Sequence, residues 1–266
     1  MIKILRSSGK LYFSESKRRE AGRISYVCTS LCLILLNFDK EMIKLLIPLI
    51  LLFSVSSVFG QEINGEIEYV VELSFDKEKL KKMSGSTRTL LQNATPVKAS
   101  LTFFGDEAIY ELKEGLGNDS QKGTNITRIL AGSSDLYYHN RKIAQTIRQT
   151  STSGKTLLVE YPSMEWKILR ETKKIGKYKC YKAVHLSDEE NKTVAWFAPE
   201  ISAGFGPLYY NGLPGLILEL QTSKGSFRAK SIDFDPENLS VQNPTEGERV
   251  TKEEYYEILK RVAPTF

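Results

Sequence analysis

From Glu66 to Leu73 the chain reads Glu-Ile-Glu-Tyr-Val-Val-Glu-Leu, with an apolar residue at every second position. Successive side chains of an extended strand point to opposite sides. Ile67, Tyr69, Val71 and Leu73 therefore share one face, and Glu66 and Glu68 lie on the other with Glu72. Such a strand rests one face on a core and turns the other to water. The same period returns at Ala99, Leu101 and Phe103, then at Ala108, Tyr110 and Leu112 beyond a Gly105-Asp106 turn. Tyr137-Tyr138 and Ile143 to Ile147 flank Asn140-Arg141 as a hairpin. Further strands are predicted over residues 156–161, 166–169, 179–186, 193–197, 216–220 and 226–234, with turns at Gly176, Asp188 to Asn191 and Lys224-Gly225. Strands this closely spaced, without long helices between them, predict antiparallel sheet rather than βαβ units.

Helical signals are few. Asp76 caps a predicted first helix through Leu80 and Met83, which Gly85 interrupts before Leu90 and Leu91. Near the C-terminus, Thr251-Lys-Glu-Glu254 is a capping-box pattern, with Val250 and Tyr255 at the staple positions. Tyr255, Ile258, Leu259 and Val262 form the apolar stripe of that helix, and Pro264 closes it. Residues 113–125 read as a mobile surface loop. The class expected is mainly β with a few helices (α+β), one domain over 61–266.

Residues 42–60 have a different logic. Lys44 supplies a short positive start, Leu45 to Phe53 an apolar run, and Val58-Phe59-Gly60 a small-residue cleavage signal before Gln61. That pattern reads as a secretory signal peptide, and the run is short of the ~20 apolar residues of a membrane span. Residues 1–41 do not fit export from the chain's start, so translation is expected to begin at Met42, with 1–41 an upstream overrun. No permanent membrane span is expected after processing, and the destination is the periplasm or beyond.

The net charge of +5 belongs to this leader. Nine of 37 Lys/Arg and four of 32 Asp/Glu lie in residues 1–60, leaving 28 of each sign in the remainder. A charge-balanced body argues against nucleic acid as a partner. Of three cysteines only Cys180 lies beyond the leader, so no internal disulfide is expected there.

Tests for chemistry return little. The two histidines, His139 and His185, have no partner at metal-ligand spacing, and no metal or cofactor is implied. Cys180 and His185 are five apart on a strand and so face opposite ways, which leaves a packed thiol and a satisfied or exposed imidazole. The run Asp188-Glu189-Glu190 reads as a hairpin tip, and Lys167, Arg170, Lys173, Lys174, Lys177 and Lys179 as a solvated sheet edge. There is no Gly-x-Ser-x-Gly, P-loop or His-Glu-x-x-His, and no catalytic residue is assigned.

The informative stretch runs from Trp196 to Leu220. Leu213-Pro214-Gly215-Leu216 fits a type II turn, in which Gly at the third position takes positive φ. Gly204, Gly206 and Gly212 let backbone pass close to backbone or ligand. Trp196, Phe197, Phe205, Tyr209 and Tyr210 surround these turns and are the candidate binding residues, Tyr209 and Tyr210 being the better candidates for exposure because neighbours on an extended chain diverge.

Gly212-Leu213-Pro214-Gly215-Leu216-Ile217 resembles the hexapeptide that names the GLPGLI family of secreted proteins from Bacteroidota-type bacteria. Its flanks are similar too: Trp166, Glu171 to Ala183, Val194 to Ile201 and Gly206-Pro207. Where the family has Tyr-Thr after the Trp, this chain has Phe197-Ala198, so an apolar ring matters there more than a phenol. The resemblance spans residues 63–262. It implies export to the periplasm or beyond; members of the family are often encoded near outer-membrane uptake receptors, and the resemblance brings no assigned activity. That family is in turn similar to the bowl-shaped N-terminal module of some bacterial glycan-releasing amidases, which implies a curved antiparallel sheet or half-barrel. Three functions stay open. The first is an envelope binding or accessory module for an apolar, peptide or glycan ligand or a receptor face. The second is a hydrolase of glycans or peptides using carboxylates gathered by folding, and the third is a structural partner subunit.

Overall fold

The computed structural model describes residues 63–74, 84–113, 125–187, 193–237 and 239–262, all within the unit Glu62–Phe266. The leader, the helix expected from Asp76 and the tip at 188–190 lie outside the described residues, as does most of the 113–125 loop.

Among the described residues twelve strands form one sheet. The chain meanders outward through β1 (Asn64–Leu73), β2 (Val97–Phe104), β3 (Glu107–Leu112), β4 (Leu136–Asn140), β5 (Gln145–Thr152) and β6 (Lys155–Tyr161), each antiparallel to the last. It then reappears at the opposite end with β7 (Trp166–Ile175). From there β8 (Tyr178–His185), β9 (Val194–Ala198), β10 (Leu216–Gln221) and β11 (Gly225–Asp233) meander back to lie beside β1. A short β12 (Glu248–Thr251) adds parallel to β6, so β12 and β7 end a sheet that does not close. Antiparallel pairing, the C-terminal helix and the mainly β class agree with the sequence. The parallel strand β12 and the full length of β7 do not appear in it.

Curvature follows from connectivity. Residues 162–165 alone join β6 to β7, so Tyr161 and Trp166 lie within ~18 Å of each other along the chain's reach. In a flat sheet the ten strand spacings between them would span ~48 Å. The sheet must therefore roll until its two ends face each other across the 162–165 strap.

Alternation decides what lines the roll. Ile67, Tyr69 and Val71 of β1, Leu101 and Phe103 of β2 and Tyr110 of β3 are fully buried in one cluster. On the far side of β1, Glu68 pairs with Lys98 and Lys230, and Glu66 with Lys113. The interior is filled by the chain itself. The segment between β9 and β10, residues 199–215, buries Ile201, Ala203, Phe205, Leu208, Tyr210 and Leu213 in that same cluster. This segment is a plug, and each of its large apolar side chains contributes ~1.5–3 kcal/mol by leaving water.

Three helices are described. Helix α1 (Gly85–Gln92) starts where the sequence predicted an interruption. Gly85 is its first residue, because the Ser84 hydroxyl accepts the Thr87 amide and supplies a cap from outside. The five-residue α2 (Ile126–Leu130) is too short to carry a period and was not expected. Helix α3 (Lys252–Val262) follows the capping box as read: the Thr251 amide donates to Glu254 Oε2 at 2.7 Å and the Glu254 amide to Thr251 Oγ1 at 3.2 Å. Tyr255 then packs with Val250, Leu157 and Val159 over the β6 end of the sheet.

Candidate functional site

The plug is shaped by three positive-φ residues: Gly204 at +71°, Leu208 at +55° and Gly212 at +86°. Leu208 costs ~1–2 kcal/mol in that region, since its Cβ crowds the carbonyl that follows. It is held because its side chain is buried and its carbonyl takes a hydrogen bond from His139 Nε2 at 2.7 Å. A carbonyl only accepts, so Nε2 carries the ring proton and Nδ1 is the acceptor. Asn211 Nδ2 donates to that Nδ1 at 3.0 Å and to Thr146 Oγ1 at 2.8 Å. Burial pushes His139 down to about 4, against the Leu208 bond that pulls the other way. His139 is therefore neutral with both nitrogens engaged.

The expected type II turn is not formed. Gly215 is outside the left-handed region, and the Leu216 amide donates to Ile201 O at 2.9 Å instead of closing on Leu213. Competition from the plug's own backbone decides this, because the Ile217 amide likewise goes to Phe205 O. Gly215 is required for closeness instead: a Cβ there would lie 2.3 Å from Ala198 O. The positive φ of the hexapeptide falls on Gly212, where a Cβ would meet only Met164 O, at 3.8 Å.

The candidate binding residues divide. Phe197 and Phe205 are core residues, 2% and 1% exposed. Trp196, their neighbour on the other face of β9, lies under Lys173 Nζ at 4.3 Å, and the same ammonium pairs with Glu219 at 2.7 Å. Tyr210 is buried, not exposed, and Tyr209 is half-buried. Their rings stack on each other at 4.5 Å because the plug is not extended, so the divergence of neighbours does not apply. Tyr161, the last residue of β6, stacks on Tyr209 at 4.6 Å. Trp166, the first of β7, donates Nε1–H to Asn211 O at 2.8 Å. Both ends of the strap are thus fastened to the residues just before the hexapeptide. Within the hexapeptide, Leu213, Gly215, Leu216 and Ile217 are buried, and Gly212 and Pro214 are exposed.

Gly212 to Gly215 form one wall of a cleft of about 540 Å3. The β4–β5 turn contributes Asn140, Arg141 and Gln145, the strap Ser163 and Met164, and the plug Ser202, Phe205 and Asn211. Arg141 donates Nε–H to Asp106 and Nη1–H to Ser202 O, tying the turn to the plug. Sequence reasoning missed Asn140, Arg141, Ser163, Met164 and Asn211, which converge only through the roll. Among the described residues the cleft lining presents an apolar floor, amide and hydroxyl groups, the doubly bonded His139 and one cation, Arg141. Cys180 lies elsewhere, buried, with its thiol pushed up to about 11 by burial. His185 meets the Trp166 ring edge-on at 5.3 Å. No group of His, Cys, Asp and Glu among the described residues has metal-site geometry. Of the six basic residues expected on a solvated edge, Lys167, Arg170, Lys174, Lys177 and Lys179 are exposed, whereas Lys173 is half-buried against Trp196 and Glu219. No described helix is long and apolar enough to cross a membrane.

The family described as Protein of unknown function (Porph_ging) matches residues 185–219, from the end of β8 through the plug into β10. No curated protein matches the chain. Among solved structures, PNGF-II in its P21 form is similar with a TM-score of 0.48 at 16% identity, over 75% of this chain and 34% of that one. Its C2 form gives 0.48 at 14% identity, over 74% and 33%. An uncharacterized conserved protein from Thermus thermophilus gives 0.35 at 6% identity, over 72% and 92%. The chain spans about a third of the length of PNGF-II.

Proposed function

We propose that this is an exported binding module of the GLPGLI type, acting in the periplasm or at the envelope. Its ligand occupies the cleft beside Gly212–Gly215, and its partner is an outer-membrane receptor or other envelope protein. The observation that carries the reading is that the exposed end of the hexapeptide, Gly212 and Pro214, is a wall of that cleft, while its buried end holds the plug. A volume of about 540 Å3 falls in the usual range of small-ligand sites. Ser163 is exposed on the strap and faces the cleft. Ser163→Trp therefore fills the cleft from the solvent side without entering the core. Native mass spectrometry of the protein purified from its own envelope is expected to show a small bound molecule. Ser163→Trp should lose that molecule with an unchanged melting temperature. Equal retention by the variant, or no bound molecule on the wild type, contradicts the proposal.

A further inference from the structure

Resting on that reading, we infer that the cleft takes a short peptide and that Arg141 receives its C-terminal carboxylate. Donor geometry sets the sign of the ligand, since Arg141 is already ion-paired with Asp106. His139 is neutral, so Arg141 is the one charged side chain among the described residues lining the cleft. Its two bonds fix the guanidinium plane: Asp106, which is not part of the cleft lining, holds Nε, and Ser202 O holds Nη1. An arginine has five N–H donors in a rigid fork, so three remain for a planar anion, and a carboxylate matches that fork with two parallel bonds.

The rest of the lining sets the ligand's body. Gln145 and Ser163 offer an amide and a hydroxyl beside the apolar Met164, Leu213 and Pro214. A peptide carries amides and apolar side chains at comparable spacing. A fatty acid would cover those polar groups without pairing them, at a cost in free energy. A glycan that stacks on aromatic rings finds no open face here, since Phe205 is 1% exposed and Tyr209 is stacked by Tyr161 and Tyr210. Gly212, without a Cβ, leaves its backbone open to close approach.

The test is equilibrium dialysis read by mass spectrometry. Its probes are a mixture of tetrapeptides of Gly, Ala, Leu and Phe with free carboxyl ends, the same mixture amidated, and dodecanoate. Retention of the free acids is expected to exceed that of the amides by about tenfold or more. Arg141→Gln should bring the acids down to the level of the amides and leave the amides unchanged, with Arg141→Lys in between. Should Arg141→Gln fail to fold, the acid–amide comparison on the wild type decides alone. Equal retention of acid and amide, dodecanoate retained better than peptide, or no peptide retained overturns the inference. If the native molecule is still lost from Ser163→Trp in those cases, the binding-module reading stands without it.

Discussion

His139 is enclosed on every side, with Nε2–H given to Leu208 O and Nδ1 taking the Asn211 amide. A second proton on the ring would set Nδ1–H against the Asn211 N–H, two donors meeting in a dry interior. Its folded-state value of about 4 lies below the ordinary 6.5. The stabilisation this represents is complete above about pH 6.5 and is lost as the pH falls toward 4, amounting to ~3 kcal/mol. Urea unfolding near pH 7 and near pH 4.5 should show a drop that is smaller in His139→Gln. An equal drop in the variant would place the acid sensitivity on other groups. At this scale the sequence showed an isolated histidine and nothing of its partners. Leu208 and Asn211 stand 69 and 72 residues away along the chain, and contacts of that separation leave no local pattern.

Among elements, the strands with one wet face were legible and the others were not. In β1 the alternation of Ile67, Tyr69 and Val71 with glutamates states the answer, because each face meets a different medium. β7 is mostly exposed on both faces and bulged between Ile168 and Thr172, so no alternation marks where it ends. β12 owes its existence to β6 alone. The plug was legible as turns and aromatics but not as an interior element, since its backbone bonds join residues of the plug itself, such as Gly212 N to Gly204 O, or tie it to the first residues of β10. Its two motif glycines serve different needs, and this can be measured. Gly215→Ala drives a Cβ onto the Ala198 backbone, which cannot give way, and is expected to cost ~3 kcal/mol or abolish folding. Gly212→Ala meets no such wall and pays only for φ at +86°, ~1 kcal/mol. Urea midpoints compare them; equal costs, or the reverse order, would restore the type II turn.

For the whole molecule, the decisive fact is that the four residues of the strap join strands ten places apart in the sheet. The roll this forces gives the plug a place to be buried. It also brings the β4–β5 turn, the strap and the hexapeptide to one rim, where the cleft lies. Another recess, of about 460 Å3, lies against Glu66, Glu111 and Lys113 and shares none of these elements. The two locations separate cleanly by amide hydrogen exchange, recorded on the protein carrying its native bound molecule and after that molecule is removed. Slowed exchange is expected at residues 140–145, 163–164 and 211–215. Protection at 236–240 instead, or no change at the hexapeptide, would contradict the claim that the exposed end of the plug is a binding wall.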